Sequence, residues 1–288
     1  WKPSKNDIFR INAGTGFRVV NLFTEEHAAL TGSRDVIITE NLNPEKSKSF
    51  STGFTFKIPS ANLTIATDAY FTRIDDRVVL TGQYARPSDA QISGAATPAQ
   101  QAALTLFQEA FDTKGVERAS FWTNGINSET KGIDVVISHK YNVIPDFTIK
   151  NDFALSYNQT RRVGDLNVPQ SIIDAGGEPY KYSFFPESSR VYLEEAIPKI
   201  KANLATTFGI KKLDIYLRNS YFGAVTDPGA TDVNLDGSSS VYEHPEYSAK
   251  LVTDLSFGYQ VSEKLRLTIG ANNIGDVYPD RNNPATPS

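Results

Sequence analysis

Residues 133–157 read IDVVISHKYNVIPDFTIKNDFALSY, and two alternating stretches meet in them at a turn. Before the turn, Ile133, Val135 and Ile137 stand opposite Asp134, Ser138 and Lys140; after it, Phe147, Ile149, Phe153, Leu155 and Tyr157 stand opposite Thr148, Lys150, Asp152 and Ser156. Side chains two apart share one face of a strand, so each stretch is apolar on one face and polar on the other. The short Asn142–Asp146 connection makes the pair a hairpin.

The pattern repeats outward in both directions, giving nine such strands. Ile8 to Arg18 sets Phe9, Ile11, Ala13 and Phe17 against Arg10, Asn12, Gly14 and Arg18. Phe50, Phe54, Phe56 and Ile58 lead through Pro59–Asn62 to Leu63, Ile65 and Phe71. Leu204 and Phe208 lead through Gly209–Lys212 to Leu213, Ile215, Leu217 and Tyr221. Leu251, Leu255, Phe257 and Tyr259 lead through Ser262–Lys264 to Leu265, Leu267 and Ile269. Pro3–Asp7 reads as a further short turn, whereas the connections at the other rim run from about a dozen residues to nearly forty.

Strands long enough to cross a hydrocarbon layer, aromatics near their ends and trimmed turns at one rim only are the pattern of a transmembrane antiparallel β-barrel. A soluble barrel or sandwich also alternates but buries its apolar face inward. Regular strand signals from end to end imply one all-β unit. There is no run of eighteen apolar residues and no charged-then-apolar leader. Nine strands do not close a barrel, whose bacterial forms have even strand numbers, and the chain lacks methionine, so the sequence reads as part of a longer protein.

A net charge of -4 with scattered basic residues argues against nucleic acid as a partner. The absence of cysteine excludes disulfides, thiolate nucleophiles and sulfur-ligated metals. His27, His139 and His244 stand in no Ser-His-Asp or paired-carboxylate constellation, so no enzyme is expected. His139, between Ile137 and Tyr141 near a turn, reads as an interface residue.

Three loop features carry chemistry. Asp232, Asn234, Asp236, Gly237 and Glu243 satisfy the spacing D-x-[DN]-x-[DN]-G-x5-E, a calcium-loop pattern, although strands flank it and Ser239 departs from the usual apolar position; it reads either as a weak structural calcium site or as an ordinary acidic, glycine-rich exposed loop, and no cofactor is required. Thr97-Pro98 opens a short helix with Leu104, Phe107 and Phe111 on one face, set to fold over the barrel mouth or to pack on neighbouring loops. Arg18, His27, Arg161 and Arg162, with Tyr180, Tyr182, Phe184 and Phe185, are candidates to bind an anionic, aromatic ligand through charge-assisted hydrogen bonds and cation–π contact.

Five motifs resemble those of TonB-dependent outer-membrane receptors, in the family's order. They are Gly14-Thr15-Gly16-Phe17-Arg18 with Asn21-Leu22-Phe23; Asn43-Pro44-Glu45-Lys46-Ser47; Thr130-Lys131-Gly132-Ile133-Asp134; Tyr221-Phe222-Gly223; and Gly270-Ala271-Asn272-Asn273-Ile274 with Asp276 and Tyr278-Pro279. Gly275 replaces the family's usual phenylalanine. The resemblance implies that residues 1–288 form roughly the carboxy-terminal two-fifths of a 22-stranded barrel in the bacterial outer membrane, with the plug domain and last strand outside them. It also implies uptake of a scarce ligand driven by the TonB complex acting through the plug, with outer-membrane lipid around the wall. A ferric siderophore is the expected cargo; haem, cobalamin or an oligosaccharide are rivals, and a passive porin is a rival of another class. For haem, His27 lies in the interval where the family's haem receptors carry a histidine, but Val19-Val20 replace alanine-proline.

Overall fold

The computed structural model describes residues 4–19, 35–36, 42–229, 231–232 and 242–281. Nine long strands form one antiparallel sheet: β1 (Asp7–Arg18), β2 (Glu45–Ile58), β3 (Leu63–Leu80), β4 (Trp122–Ile144), β5 (Phe147–Val163), β6 (Ile200–Ile210), β7 (Leu213–Phe222), β8 (Lys250–Ser262) and β9 (Leu265–Ala271). Each bonds only to the long strands before and after it in sequence.

Register places like with like. One rung across five strands reads Phe56, Ile65, Ile137, Phe153, Leu204, and another reads Phe54, Thr67, Val135, Leu155, Ala202. Among the described residues no second layer covers this face: Ile11 is 59% exposed and Ile269 76%. A soluble sandwich buries its apolar sheet face, so the exposure selects the membrane reading. No helix among the described residues is long and apolar enough to cross a membrane, which leaves the crossing to the strands.

The trimmed rim is tighter than the sequence predicts. β4 runs through Ile144 and β6 through Ile210, so these turns shrink to Pro145-Asp146 and Lys211-Lys212, with Asp146 and Lys211 at positive φ. The second turn is a short 3-10 segment, Pro59–Ala61, closed by Asn62 in the left-handed region. Each turn is also tied to a later strand or turn: the carbonyls of Asn6, Asn62, Asp146 and Lys212 accept from the amides of Lys57, Lys140, Lys211 and Gln260 at 2.8–3.1 Å.

The buried core lies in the elaborated loops. Helices α1 (Asp89–Ser93) and α2 (Pro98–Lys114) fill the connection between β3 and β4, and α3 (Gln170–Phe184) and α4 (Glu187–Glu194) the one between β5 and β6. As its sequence predicts, α2 starts at a Thr97 cap, whose hydroxyl accepts from the Gln100 amide; at 17 residues it is longer than the short helix expected, and it ends at Gly115 with φ +65°. Phe107 and Phe111 pack with Tyr84, Phe121, Ile172, Tyr180, Phe184 and Phe185 in one cluster. The stripe on α2 therefore finds neighbouring loops, the second of its two sequence readings.

Candidate functional site at the elaborated rim

On the polar face, side chains tie strands together across glycines. Arg10 on β1 reaches Asp68 on β3 over Gly53 of β2. The Tyr70 hydroxyl lies over Gly132 and accepts from the Asn158 amide at 2.6 Å. Arg266 crosses Gly258 to Asp214. A Cβ at Gly132 would stand 2.3 Å from the Tyr70 ring, so glycine in the Thr130-Lys131-Gly132 motif is what lets this contact form.

Toward the elaborated rim a bulge interrupts β3 between Ile74 and Arg77, with Asp76 at φ +57°. Bulges leave ladder groups unpaired, and here side chains take them up. Asn127 accepts from the Asp76 amide at 3.0 Å, Asn124 donates to the Asp76 carbonyl, and Glu45 accepts from the Val78 amide at 2.8 Å. Glu45 also pairs with Arg18 at 2.7 Å, while Arg77 donates to Ser128 at 3.2 Å. The Gly-Phe-Arg and Asn-Pro-Glu motifs thus meet through one ion pair beside the bulge.

Arg77, Thr130 and Thr160 line a cavity of ≈ 620 Å³ whose other wall is Phe185 and the α4 residues Ser188, Ser189, Tyr192 and Leu193. A second cavity of ≈ 380 Å³ lies between Arg18, Glu45, Ser47 and Arg77. Tyr192 is 71% exposed, a free aromatic at the edge of a cationic, hydroxyl-lined recess. Helix α4 is held there by Arg190, which binds Glu187, Glu194 and Glu195 at 2.5–3.2 Å, and by Glu194, which accepts from the Arg162 amide. The Arg190 guanidinium holds the Glu187 and Glu195 carboxyls below their usual range.

The predicted site residues separate. Arg18 and Arg162 lie on the polar face, Arg18 beside the second cavity and Arg162 donating to the Gly164 carbonyl. Arg161 points the other way, as a strand neighbour must, and pairs with Glu129 at 3.1 Å on the outer face. Phe184 has no exposed surface: it is core of the loop layer, because α3 turns it toward Tyr84 and Ile126, and it presents nothing to a ligand. Tyr182 stays 65% exposed. His27, Asn234 and Asp236 lie outside the described residues; Asp232 and Glu243 belong to a two-residue backbone ladder, Thr231 opposite Glu243 and Asp232 opposite Tyr242. Sequence reasoning missed Arg77, Thr130, Thr160 and Tyr192; nothing in the local pattern marks the bulge that aims Arg77.

The Asn272-Asn273-Ile274 motif also acquires a physical reading. Asn273 has φ +51°, its amide donates to Asp254, and its side chain exchanges hydrogen bonds with the Val277 backbone at 3.0 Å. Asparagine tolerates that conformation better than most residues.

A meander with one bare apolar face, a polar face braced by ion pairs and a recess under elaborated loops is the wall of an outer-membrane β-barrel. Comparison with known proteins gives its kind. Residues 1–274 match the family model described as TonB dependent receptor-like, beta-barrel, and the chain belongs to that family. No curated protein sequence matches it. Among solved structures it resembles the pyoverdine outer membrane receptor FpvA from Pseudomonas aeruginosa PAO1, at 14% identity and TM-score 0.54, over 96% of this chain and 31% of that one. It also resembles the FrpB iron transporter from Neisseria meningitidis (11%, TM-score 0.57, 95% and 33%) and the outer membrane transporter YddB from Escherichia coli (10%, TM-score 0.57, 96% and 35%). The chain spans about a third of the length of these structures.

Proposed function

We propose that the protein carrying this chain captures a ferric siderophore at the cell surface and imports it with energy from the TonB complex, acting through a plug domain. The observation that carries the reading is the recess between Arg77, Thr130, Thr160 and α4, with Tyr192 at its edge. Arginine and hydroxyl groups suit an anionic iron chelate by charge-assisted hydrogen bonds, and exposed tyrosine suits its aromatic or planar groups. Arg18, beside the neighbouring cavity, adds a second cation to the reading, and Arg162 and Tyr182 are further candidates in it. Two neighbours support iron as cargo: the name of one says pyoverdine receptor and of the other iron transporter. No catalytic role is part of the reading.

The test is direct binding of iron-loaded and iron-free catecholate and hydroxamate siderophores to the detergent-purified protein, alongside growth on each as sole iron source. Capture of one ferric chelate in preference to its iron-free form, weakened roughly tenfold by Arg77→Gln, supports the proposal. Binding of haem, cobalamin or an oligosaccharide with no ferric chelate bound would replace it.

We also propose that the 232–243 loop holds a structural calcium ion. Its support is the spacing of Asp232, Asn234, Asp236 and Glu243 and the ladder that joins the loop's two ends. Calcium-dependent protection of this loop from proteolysis, lost in Asp236→Asn, would bear it out.

A further inference from the structure

The two sides of helix α4 do different work. Ser188, Ser189, Tyr192 and Leu193 line the recess. Glu187, Arg190 and Glu194 follow one another at i, i+3 and i+7 and so stand on the opposite side. Isolated helices are marginal below roughly 12 to 15 residues, and this one has eight, with no side-chain cap at Pro186 and Val191 alone buried. Its place at the recess is therefore set largely by what its polar side holds.

Arg190 Nη1 donates to Glu194 Oε2 at 3.2 Å and to Glu195 Oε1 at 2.5 Å, while its Nε and Nη2 donate to Glu187 Oε1. The other oxygens of Glu194 and Glu195 reach away from the helix. Glu194 Oε1 accepts from the Arg162 amide near the end of β5 at 2.7 Å. Glu195 Oε2 accepts from the Thr226 hydroxyl at 3.0 Å, and the Glu195 carbonyl accepts from the Thr226 amide at 3.1 Å. Thr226 belongs to the stem of the β7–β8 connection, where Val225 and Thr226 pair with Tyr247 and Glu246 and the Asp227 amide donates to the Pro245 carbonyl at 2.9 Å. Among the described residues that connection lines no part of the recess. Three carboxylates thus converge on one guanidinium, with Lys199 near Glu195 and His244 near Glu187. Arginine suits the place because its planar fork serves several oxygens in fixed directions, which the point charge of a lysine does not.

We propose that Arg190 is a positioning residue for the recess, joining α4 to β5 through Glu194 and to the β7–β8 connection through Glu195, so that a connection outside the recess sets how long cargo stays in it. The inference rests on the recess being where cargo binds. Without Arg190, Glu194 and Glu195 repel each other across the space it fills, and the wall that carries Tyr192 shifts relative to Arg77, Thr130 and Thr160 on the strands. Without the Thr226 hydroxyl, Glu195 keeps Arg190 but loses its side-chain hold on the β7–β8 stem. Both losses interrupt the same series of contacts, so their effects do not add.

The experiment uses the detergent-purified protein carrying this chain, with a ferric tris-catecholate and a ferric tris-hydroxamate as probes. Wild type is compared with Arg190→Gln, Arg190→Lys, Thr226→Val, Thr226→Ser and the Arg190→Gln/Thr226→Val double variant, reading chelate dissociation and hydrogen exchange in Glu187–Glu194. The expected result is dissociation about tenfold faster in Arg190→Gln and about threefold faster in Thr226→Val, in line with the loss of hydrogen bonds to charged groups. The double variant should be no faster than Arg190→Gln. Thr226→Ser should restore wild-type dissociation and Arg190→Lys should not, and exchange should rise in the same order as dissociation. Unchanged dissociation or exchange in Thr226→Val, or effects that multiply in the double variant, overturns the proposal. If Arg190→Gln does not fold, Thr226→Val against Thr226→Ser decides. If wild type binds neither chelate, the siderophore reading falls, and exchange in Thr226→Val and in the double variant alone decides whether Arg190 positions α4.

Discussion

The Arg10 guanidinium donates to both carboxylate oxygens of Asp68, at 2.9 Å each, across a strand on which neither residue lies. The pair closes over Gly53, where an added Cβ would stand 1.8 Å from the carboxylate. A glycine in a strand interior weakens the strand locally, and here it is the opening through which two non-adjacent strands are joined.

Gly53→Ala should therefore destabilise although alanine suits a strand better than glycine. The expected loss is about 1–3 kcal/mol, the usual range for forcing atoms into an occupied space. It would be read as a lower temperature for loss of heat-modifiable migration. An Asp68→Asn background should shrink the penalty, because its amide no longer binds the Arg10 guanidinium as an ion pair. Equal penalties in the two backgrounds would show that the crossing does not set the cost.

Phe184 and Tyr182 are two residues apart on α3 and should separate stability from recognition. Phe184→Ala removes a ring with no exposed surface from the loop core and should cost about 3–5 kcal/mol of loop-layer stability. Faster hydrogen exchange in Pro98–Lys114 and Gln170–Phe184, with the strands unchanged, is the expected signature. Tyr182→Ala should leave exchange unaltered and weaken cargo binding.

Acid should release the loops in order. The folded Glu187 and Glu195 carboxyls lie below their ordinary value of 4.5, held by Arg190, so their contribution is complete above that value and is lost as pH falls through the lower folded values. Lys250 and Ser248 hold Asp280 at about 2, so the clip between the start of β8 and the segment after β9 should persist until the pH approaches that value. Hydrogen exchange between pH 7 and 2.5 should show α4 opening first. Arg190→Gln should remove the pH dependence of α4 while sparing the clip.

The α2 cap offers a smaller, cleaner change. Thr97→Ala removes the hydroxyl that accepts from Gln100 and should cost about 1 kcal/mol in the α2 segment, with Thr97→Ser retaining most of it. Exchange at the first turn of α2 measures it; no difference between Ala and Ser would sink the assignment.

The strands were legible because period two is a local property: Ile133 to Tyr157 carries its hairpin in its own residues. So was the start of α2, with a threonine cap and a proline at the first turn. Helix α3 was not, because Gly176-Gly177-Glu178-Pro179 interrupts any helical pattern, and Gly177 indeed departs from helical angles at φ +58°. The aromatics there read as a rim cluster when half of them are core. For Arg161 the signal was present: counting in twos from Tyr157 puts it on the apolar side, away from Arg162. For Arg77 it was absent, since the bulge that re-aims it depends on Asn124, Asn127 and Glu45 from two other strands.

Every long strand bonds only to its neighbours in the chain. Contacts of this kind have short sequence separations relative to a Greek key, and they make assembly an accretion: a hairpin finds its template in the edge left by the previous one, and no strand has to thread between two already paired. Because the trimmed turns are also hydrogen-bonded to the strands and turns that follow, an insertion there would stall the growing edge, whereas one in the loops carrying α1 to α4 would leave the order of pairing untouched.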